Sequence, residues 1–206
     1  MDDLVTTLYT LQQSPIAQII HERINEFHMM HGQPGDIMFL ELCFCIFTAN
    51  CSSQKCWEVQ NTLGEDLLHL STEDLEHQLR LLGYRFPNRA DRVVAARNQL
   101  PEIMQQLSKN NGKEIREWLV QNITGFGYKE ASHFLRNIGF DDVAIIDVHI
   151  LRVLEEYGMI SSPKTLTKKR YLAIEKILET LADHSLLTLA ELDLYLWYMR
   201  TGKVLK

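Results

Sequence analysis

Two side chains in this sequence can share covalent chemistry: the amine of Lys129 and the carboxylate of Asp147, eighteen positions apart. Lys129 follows Gly125-Phe126-Gly127-Tyr128, and a helix that begins near Tyr128 puts it in the first helical turn. The helix dipole disfavours a cation there by a few tenths to about 1 kcal/mol, which favours the neutral amine. A neutral amine is what nucleophilic attack on a sugar carbon requires. A lysine that pairs with phosphate beside the turn has the same local pattern, so Lys129 alone leaves both readings open. Asp147 leads into Val148-His149-Ile150-Leu151-Arg152-Val153-Leu154, an amphipathic helix, and takes its N-cap position. Backbone N–H groups there stabilise the ionised carboxylate, and a fixed carboxylate stabilises the positive charge that builds on a sugar as its C1′ substituent departs. An ordinary cap would look alike. Asp141 and Asp142 read as turn residues, and His133 and His149 as surface or satisfied groups rather than catalytic acids.

The elements that must position this pair are helical. Ile123-Thr124-Gly125-Phe126-Gly127 joins one amphipathic helix, bearing Ile115, Trp118 and Leu119 on one face, to the helix that carries Lys129. Two glycines spaced by one residue permit a tight turn with positive φ and leave the backbone N–H groups unscreened. With the free N–H groups of the next helix they form a site for a phosphate oxygen, and Phe126 can anchor the turn by packing inward. This is a helix–hairpin–helix pattern, which grips a nucleic-acid backbone without reading its sequence and assigns Gly125 and Gly127 to phosphate binding. Gly-x-Gly also serves as a plain inter-helix turn. Elsewhere Ala131, Phe134, Leu135 and Ile138 recur at helical spacing, as do Ile174, Ile177, Leu178 and Leu181. Ser71-Thr72-Glu73-Asp74 is a helix start, and Gly83, Gly112, Gly139 and Gly158 punctuate segment ends. Only Val143-Ala144-Ile145-Ile146 reads as a short extended run. The expectation is an all-α fold of about ten helices with short loops, no internal repeat and no low-complexity linker.

Composition excludes several classes. The apolar fraction of 46% and charged fraction of 23% are those of an ordinary soluble protein. The longest apolar run, 37–47, is about half a membrane span and is interrupted by Glu41. Met1-Asp2-Asp3 opens on acid, so no signal peptide is expected. The net charge of −6 argues against a polyanion partner as a total, but its distribution does not. Residues 1–79 hold 12 acids and 2 bases, whereas 80–116 hold 8 bases and 3 acids. A nucleic-acid partner needs only a local positive face, although a solvated helix surface would give the same count. Cys43, Cys45, Cys51 and Cys56 lack the paired knuckles of a structural zinc site and have poor disulfide geometry on a helix, so they read as small buried apolar side chains.

Four segments together resemble the helix–hairpin–helix DNA glycosylases, and within them the archaeal and bacterial type-2 8-oxoguanine DNA glycosylases. They are Thr48-Ala49-Asn50, the run 125–137 from Gly125 through Lys129 to Asn137, the run 141–147 ending in Asp147, and 191–203 with Asp193 and Trp197. The resemblance implies a bifunctional enzyme: Lys129 displaces the base and forms a Schiff base, and β-elimination then nicks the strand. It implies that Asp147 stabilises the sugar cation and assists proton transfer. It also implies two helical lobes with the active site in the cleft between them, the hairpin lobe at 36–140 and the second lobe at 1–35 with 141–206. The implied partner is double-stranded DNA containing 8-oxoguanine, met by a cytoplasmic, nucleoid-associated prokaryotic monomer with no membrane attachment, no metal and no cofactor.

Two departures from the wider superfamily stand out. The loop before Asp147 carries Gly139 but no proline, and no cysteine follows Cys56 to hold the iron–sulfur cluster of some relatives. A flipped purine needs a flat partner and edge hydrogen bonds. Trp197, Asp193 one turn earlier and the terminal carboxylate of Lys206 are the candidates, against a core tryptophan and an unattached tail. Asn50 is the candidate for filling the gap or meeting the orphaned base, against a plain helix-ending residue. The rival readings are a glycosylase for oxidised pyrimidines, which the missing cluster cysteines disfavour, and a non-catalytic DNA-binding module.

Overall fold

Capping hydroxyls, amides and prolines set most element boundaries in the computed structural model, which describes residues 1–161 and 163–205. Helix accounts for 72% of the structure, with no strand among the described residues. In chain order the helices are α1 (Asp2–Gln12), α2 (Ile16–Met30), α3 (Gly35–Thr48), α4 (Ser53–Leu63), α5 (Thr72–Leu81), α6 (Ala90–Asn98), α7 (Leu100–Leu107), α8 (Gly112–Asn122), α9 (Tyr128–Asn137), α10 (Val148–Glu156), α11 (Lys168–Ser185) and α12 (Leu189–Thr201). Short 3₁₀ turns lie at Gly64–Leu68 and Pro87–Arg89. Ser52, Ser71, Asn111, Asp147, Thr167 and Thr188 each accept a backbone N–H as the N-cap of α4, α5, α8, α10, α11 and α12. Each such cap is worth about 0.5–2 kcal/mol over alanine.

The twelve helices among the described residues exceed the expected number of about ten because short junctions interrupt patterns that periodicity reads through. Pro15 caps α2 three residues after α1 ends, and Gln99 is at once the C-cap of α6 and the N-cap of α7, with Pro101 in its first turn. Gly112 opens α8 rather than closing a segment, since Asn111 supplies the cap.

The chain forms two compact units, Gly32–Ile138 and Met1–His31 with Gly139–Lys206. In the first, α3 is buried on nearly every face and packs against α4, α6, α7 and α9. That is the behaviour of a helix apolar all round, and each of Phe39, Leu42, Phe44 and Phe47 contributes about 1.5–3 kcal/mol by burial. Cys43, Cys45 and Cys56 belong to the same core as free thiols. Glu41, which breaks the apolar run, accepts from Asn137 Nδ2 at 2.6 Å, and Asn137 Oδ1 accepts from Arg136 Nε at 2.9 Å. The first bond ties α9 to α3, and the second orients the Asn137 amide within α9.

In the second unit α1 packs on α11, and α2 and α10 pack on α12. Leu4 and Leu8 of α1, Ile20, Ile24 and Phe27 of α2, and Tyr171, Leu178 and Leu181 of α11 supply its core. Gly139 has φ +92°, and a Cβ there would lie 2.9 Å from the Phe27 carbonyl oxygen, so the entry to the Asp147 loop demands glycine twice over. No helix among the described residues is long and apolar enough to cross a membrane.

Candidate active site

Lys129 is the second residue of α9, half-buried, directly after the hairpin. The turn forms because α8 ends on Ile123 in extended conformation, and the Phe126 N–H then donates to the Ile123 carbonyl at 3.1 Å. Gly125 has φ +87°, the left-handed region. Gly127 does not share it: with φ −99° and ψ −175° it is extended backbone that any residue adopts. The positive φ expected of the glycine pair therefore falls on Gly125 alone. Gly127 instead caps α9, its N–H donating to Glu130 Oε2 at 3.3 Å and its carbonyl accepting from Ala131 at 3.0 Å.

Phe126 is buried edge-on to Phe134, with ring centroids 6.4 Å apart. Arg116, only 1% exposed, reaches across from α8, donates to Ser132 Oγ at 3.2 Å and lies 5.3 Å over the Tyr128 ring. The Tyr128 hydroxyl donates to Glu117. These bonds fix the first turn of α9 and with it the Lys129 backbone. Burial, and then neighbouring Cys51, push the Cys56 thiol up, while the charges of Arg89 and Lys129 pull it weakly the other way. Lys129 thus shares a neighbourhood with the loop after α3.

That loop carries Asn50, exposed and held at φ +54°. Asparagine tolerates this region better than other side chains, but the conformation still needs support. Arg89 provides it from inside, 5% exposed, donating to the carbonyls of Ile46 at 3.2 Å, Phe47 at 2.7 Å and Ala49, and to Tyr84 Oη at 2.6 Å. Tyr84 Oη and Cys56 Sγ also donate to the Phe47 carbonyl. A guanidinium thus satisfies the open carbonyls that end α3.

The eight bases of 80–116 are not all turned to solvent, as the same side chain and its neighbours show. Arg89 and Arg116 are internal, Arg97 donates to the Leu70 carbonyl at 2.8 Å, and Arg80 pairs with Glu76. Three of the eight bases serve the fold, and Arg80 is held in a surface ion pair.

Asp147 caps α10 as the sequence pattern predicts. Its Oδ1 accepts from the N–H groups of His149 at 2.8 Å and Ile150 at 2.9 Å, and Oδ2 accepts none among the described residues. The run before it, Val143 to Ile146, is buried and irregular rather than a strand. Its backbone bonds go to side chains of α11. Ala144 N–H donates to Glu175 Oε1 at 2.9 Å, Tyr171 Oη donates to the Ala144 carbonyl at 2.7 Å, and Ile146 N–H donates to Tyr171 Oη at 3.3 Å. Sequence reasoning missed Tyr171 and Glu175. The available signal was a carboxylate inside the apolar stripe Tyr171, Ile174, Leu178.

Within this unit α12 carries further candidates, and α10 packs against it. The His149 ring lies against Trp197, with centroids 5.4 Å apart. Asp193, 7% exposed, sits one turn earlier on α12 and lines a small pocket with Ala144, Ile145, Leu189 and Leu196. Lys206 lies outside the described residues. No cluster of three or more His, Cys, Asp or Glu side chains suited to a metal ion occurs among the described residues.

Residues 20–187 match the family model described as 8-oxoguanine DNA glycosylase. The chain is 48% identical over 98% of its length to the 8-oxoguanine DNA glycosylase/AP lyase of Methanocaldococcus jannaschii, covering 99% of that protein. It is 49% identical over 93% of its length to the protein of that name from Aquifex aeolicus, covering 94% of it. The crystal structure of the M. jannaschii glycosylase/lyase in complex with 15mer DNA containing 8-oxoguanine superposes with a TM-score of 0.95, over 98% of this chain and 99% of that one. With the hairpin, the capped aspartate and near full-length identity of this order, the chain belongs to the 8-oxoguanine DNA glycosylase family.

Proposed function

We propose that this chain excises 8-oxoguanine from double-stranded DNA and nicks the resulting abasic strand, working as a monomer on the nucleoid in a prokaryotic cytoplasm. The observation that carries the reading is its near full-length likeness to a glycosylase/lyase solved with DNA containing 8-oxoguanine. Lys129 Nζ attacks C1′ of the damaged nucleotide, the bond from C1′ to the base breaks, and the base leaves with the electron pair and takes up a proton. Opening of the sugar ring gives a Schiff base. Loss of a C2′ proton then expels the 3′ phosphate. Asp147 acts on the same deoxyribose, stabilising its developing positive charge through the carboxylate oxygen that the α10 cap leaves unused.

Gly125 and Gly127 present the hairpin backbone to a DNA phosphate. Trp197, Asp193 and Lys206 serve the flipped base, and Asn50 the gap or the orphaned partner. An amine and a carboxylate suffice for these steps, so the chemistry calls for no metal or redox group. Borohydride reduces a Schiff base to a stable amine, so the intact protein should be trapped on an 8-oxoguanine duplex. Lys129→Gln should abolish the trapped species. Tight duplex binding with no trapping on any of a panel of oxidised purines and pyrimidines would overturn the enzymatic reading, and trapping on pyrimidine lesions alone would overturn the substrate.

A further inference from the structure

Of the bases in 80–116, Arg92 stands apart. It is half-buried on α6, yet it forms no hydrogen bond or ion pair with any described residue. Its side chain lies on the hairpin turn: an ideal Cβ on Gly125 would fall 2.5 Å from Arg92 Nη1, 2.7 Å from Cδ and 2.8 Å from Cζ. Gly125 is therefore constrained from two sides, by its φ of +87° and by the guanidinium resting where a side chain would be. The Gly125 N–H itself makes no hydrogen bond with any described residue. Gly127 differs, because Glu130 already accepts from its N–H at 3.3 Å. The turn thus offers an uncommitted backbone donor and an uncommitted guanidinium side by side.

A partly desolvated arginine with no acid paired to it among the described residues is costly to keep unless an anion arrives to pair with it. The guanidinium fork matches the oxygens of a phosphate, and backbone N–H groups complement it. We infer that Arg92 completes the hairpin's phosphate site, so that one DNA phosphate is gripped by its guanidinium and the Gly125 N–H together. The inference rests on the DNA-directed function proposed above. It adds a ligand from a helix outside the hairpin, and it gives Gly125 a second reason to be glycine.

The test uses the full chain with undamaged and 8-oxoguanine duplexes across a salt series. For Arg92→Gln, affinity should fall roughly tenfold or more for both duplexes alike, as expected for a lost charged hydrogen bond to the backbone. The slope of log affinity against log salt should shrink by about 0.9, the signature of one phosphate contact. Excision at saturating DNA should hold, because the lost contact is made equally before and during the reaction. Arg92→Lys should restore the slope but only part of the affinity, since it keeps the charge without the fork.

An unchanged slope in Arg92→Gln would overturn the assignment, whether affinity is kept or lost, because a packing role does not move counterion release. An affinity loss confined to the damaged duplex would overturn it too, pointing to base recognition instead. If the unsubstituted protein bound no duplex, the proposed function would fail and this inference with it. A normal wild-type slope that Arg92→Gln leaves untouched sinks the inference alone.

Discussion

The hairpin ahead of Lys129 is shaped by backbone, the loop ahead of Asp147 by side chains. In the hairpin one positive φ at Gly125, one bond donated by the Phe126 N–H to the Ile123 carbonyl and the inward Phe126 ring make the turn within five residues. In the Asp147 loop the buried run from Val143 to Ile146 has its polar groups tied to Tyr171 and Glu175, which lie up to 31 positions away on α11. A buried backbone group needs a partner, and where no neighbouring strand or helix supplies one a side chain must. The absence of proline before Asp147 fits this difference: in this chain Gly139 bends the entry and α11 holds the rest.

The comparison implies that the two regions fail differently. Hairpin changes should act on DNA binding, and loop changes on turnover. The largest effect belongs to Asp147→Asn. The amide still caps α10 through its oxygen, so folding and duplex affinity should stay close to wild type. Single-turnover excision should fall about 10²–10³-fold, the usual loss when a charge-stabilising group is removed. Equal losses in affinity and turnover would reduce Asp147 to a helix cap and erase the contrast.

Next comes Glu175→Leu, which leaves the buried Ala144 N–H without its acceptor and should cost about 1–3 kcal/mol in denaturant unfolding. Glu175→Gln keeps an acceptor oxygen and should cost clearly less. If the two variants unfold alike, α11 does not hold the loop through this bond. Smaller again is Gly125→Ala, for which the left-handed backbone costs a side chain about 1–2 kcal/mol and the flexible Arg92 side chain must also move aside. Gly127→Ala sits on extended backbone, so its effect on melting and duplex affinity should be the milder. A reversal of that order would mean that the turn is not set by the φ of Gly125.

What was legible in the sequence follows the same line. Gly125-Phe126-Gly127 and the cap at Asp147 are local signals, as is the all-apolar α3, and each appears where the pattern put it. Which of two glycines takes the positive φ is not local, since it depends on how the α8 chain exits at Ile123. Charge counts could not separate surface bases from internal ones for a physical reason. A guanidinium that caps carbonyls, as Arg89 and Arg97 do, and one that faces solvent have the same composition. Lys129 and Asp147 could be read as candidates because each sits at a helix start. Arg89, Tyr171 and Glu175 could not, because they act through partners distant in the chain. Lys206, the last candidate for base recognition, lies outside the described residues.

The smallest predicted change separates the two regions most finely. Tyr171→Phe keeps the buried ring and removes only the hydroxyl, which donates to Ala144 at 2.7 Å and accepts from Ile146 at 3.3 Å. The longer bond contributes little, so the stability loss should be about 1 kcal/mol. The two bonds bracket Ile145, two residues before Asp147, and their loss should loosen the carboxylate's support while leaving the hairpin alone. Excision at saturating DNA should therefore drop by a few-fold, with duplex affinity and its salt dependence unchanged. Gly125→Ala should do the reverse, lowering affinity while excision at saturation holds. If Tyr171→Phe instead weakens binding and spares turnover, the loop does not serve Asp147, and positioning of the carboxylate must come from the α10 cap alone.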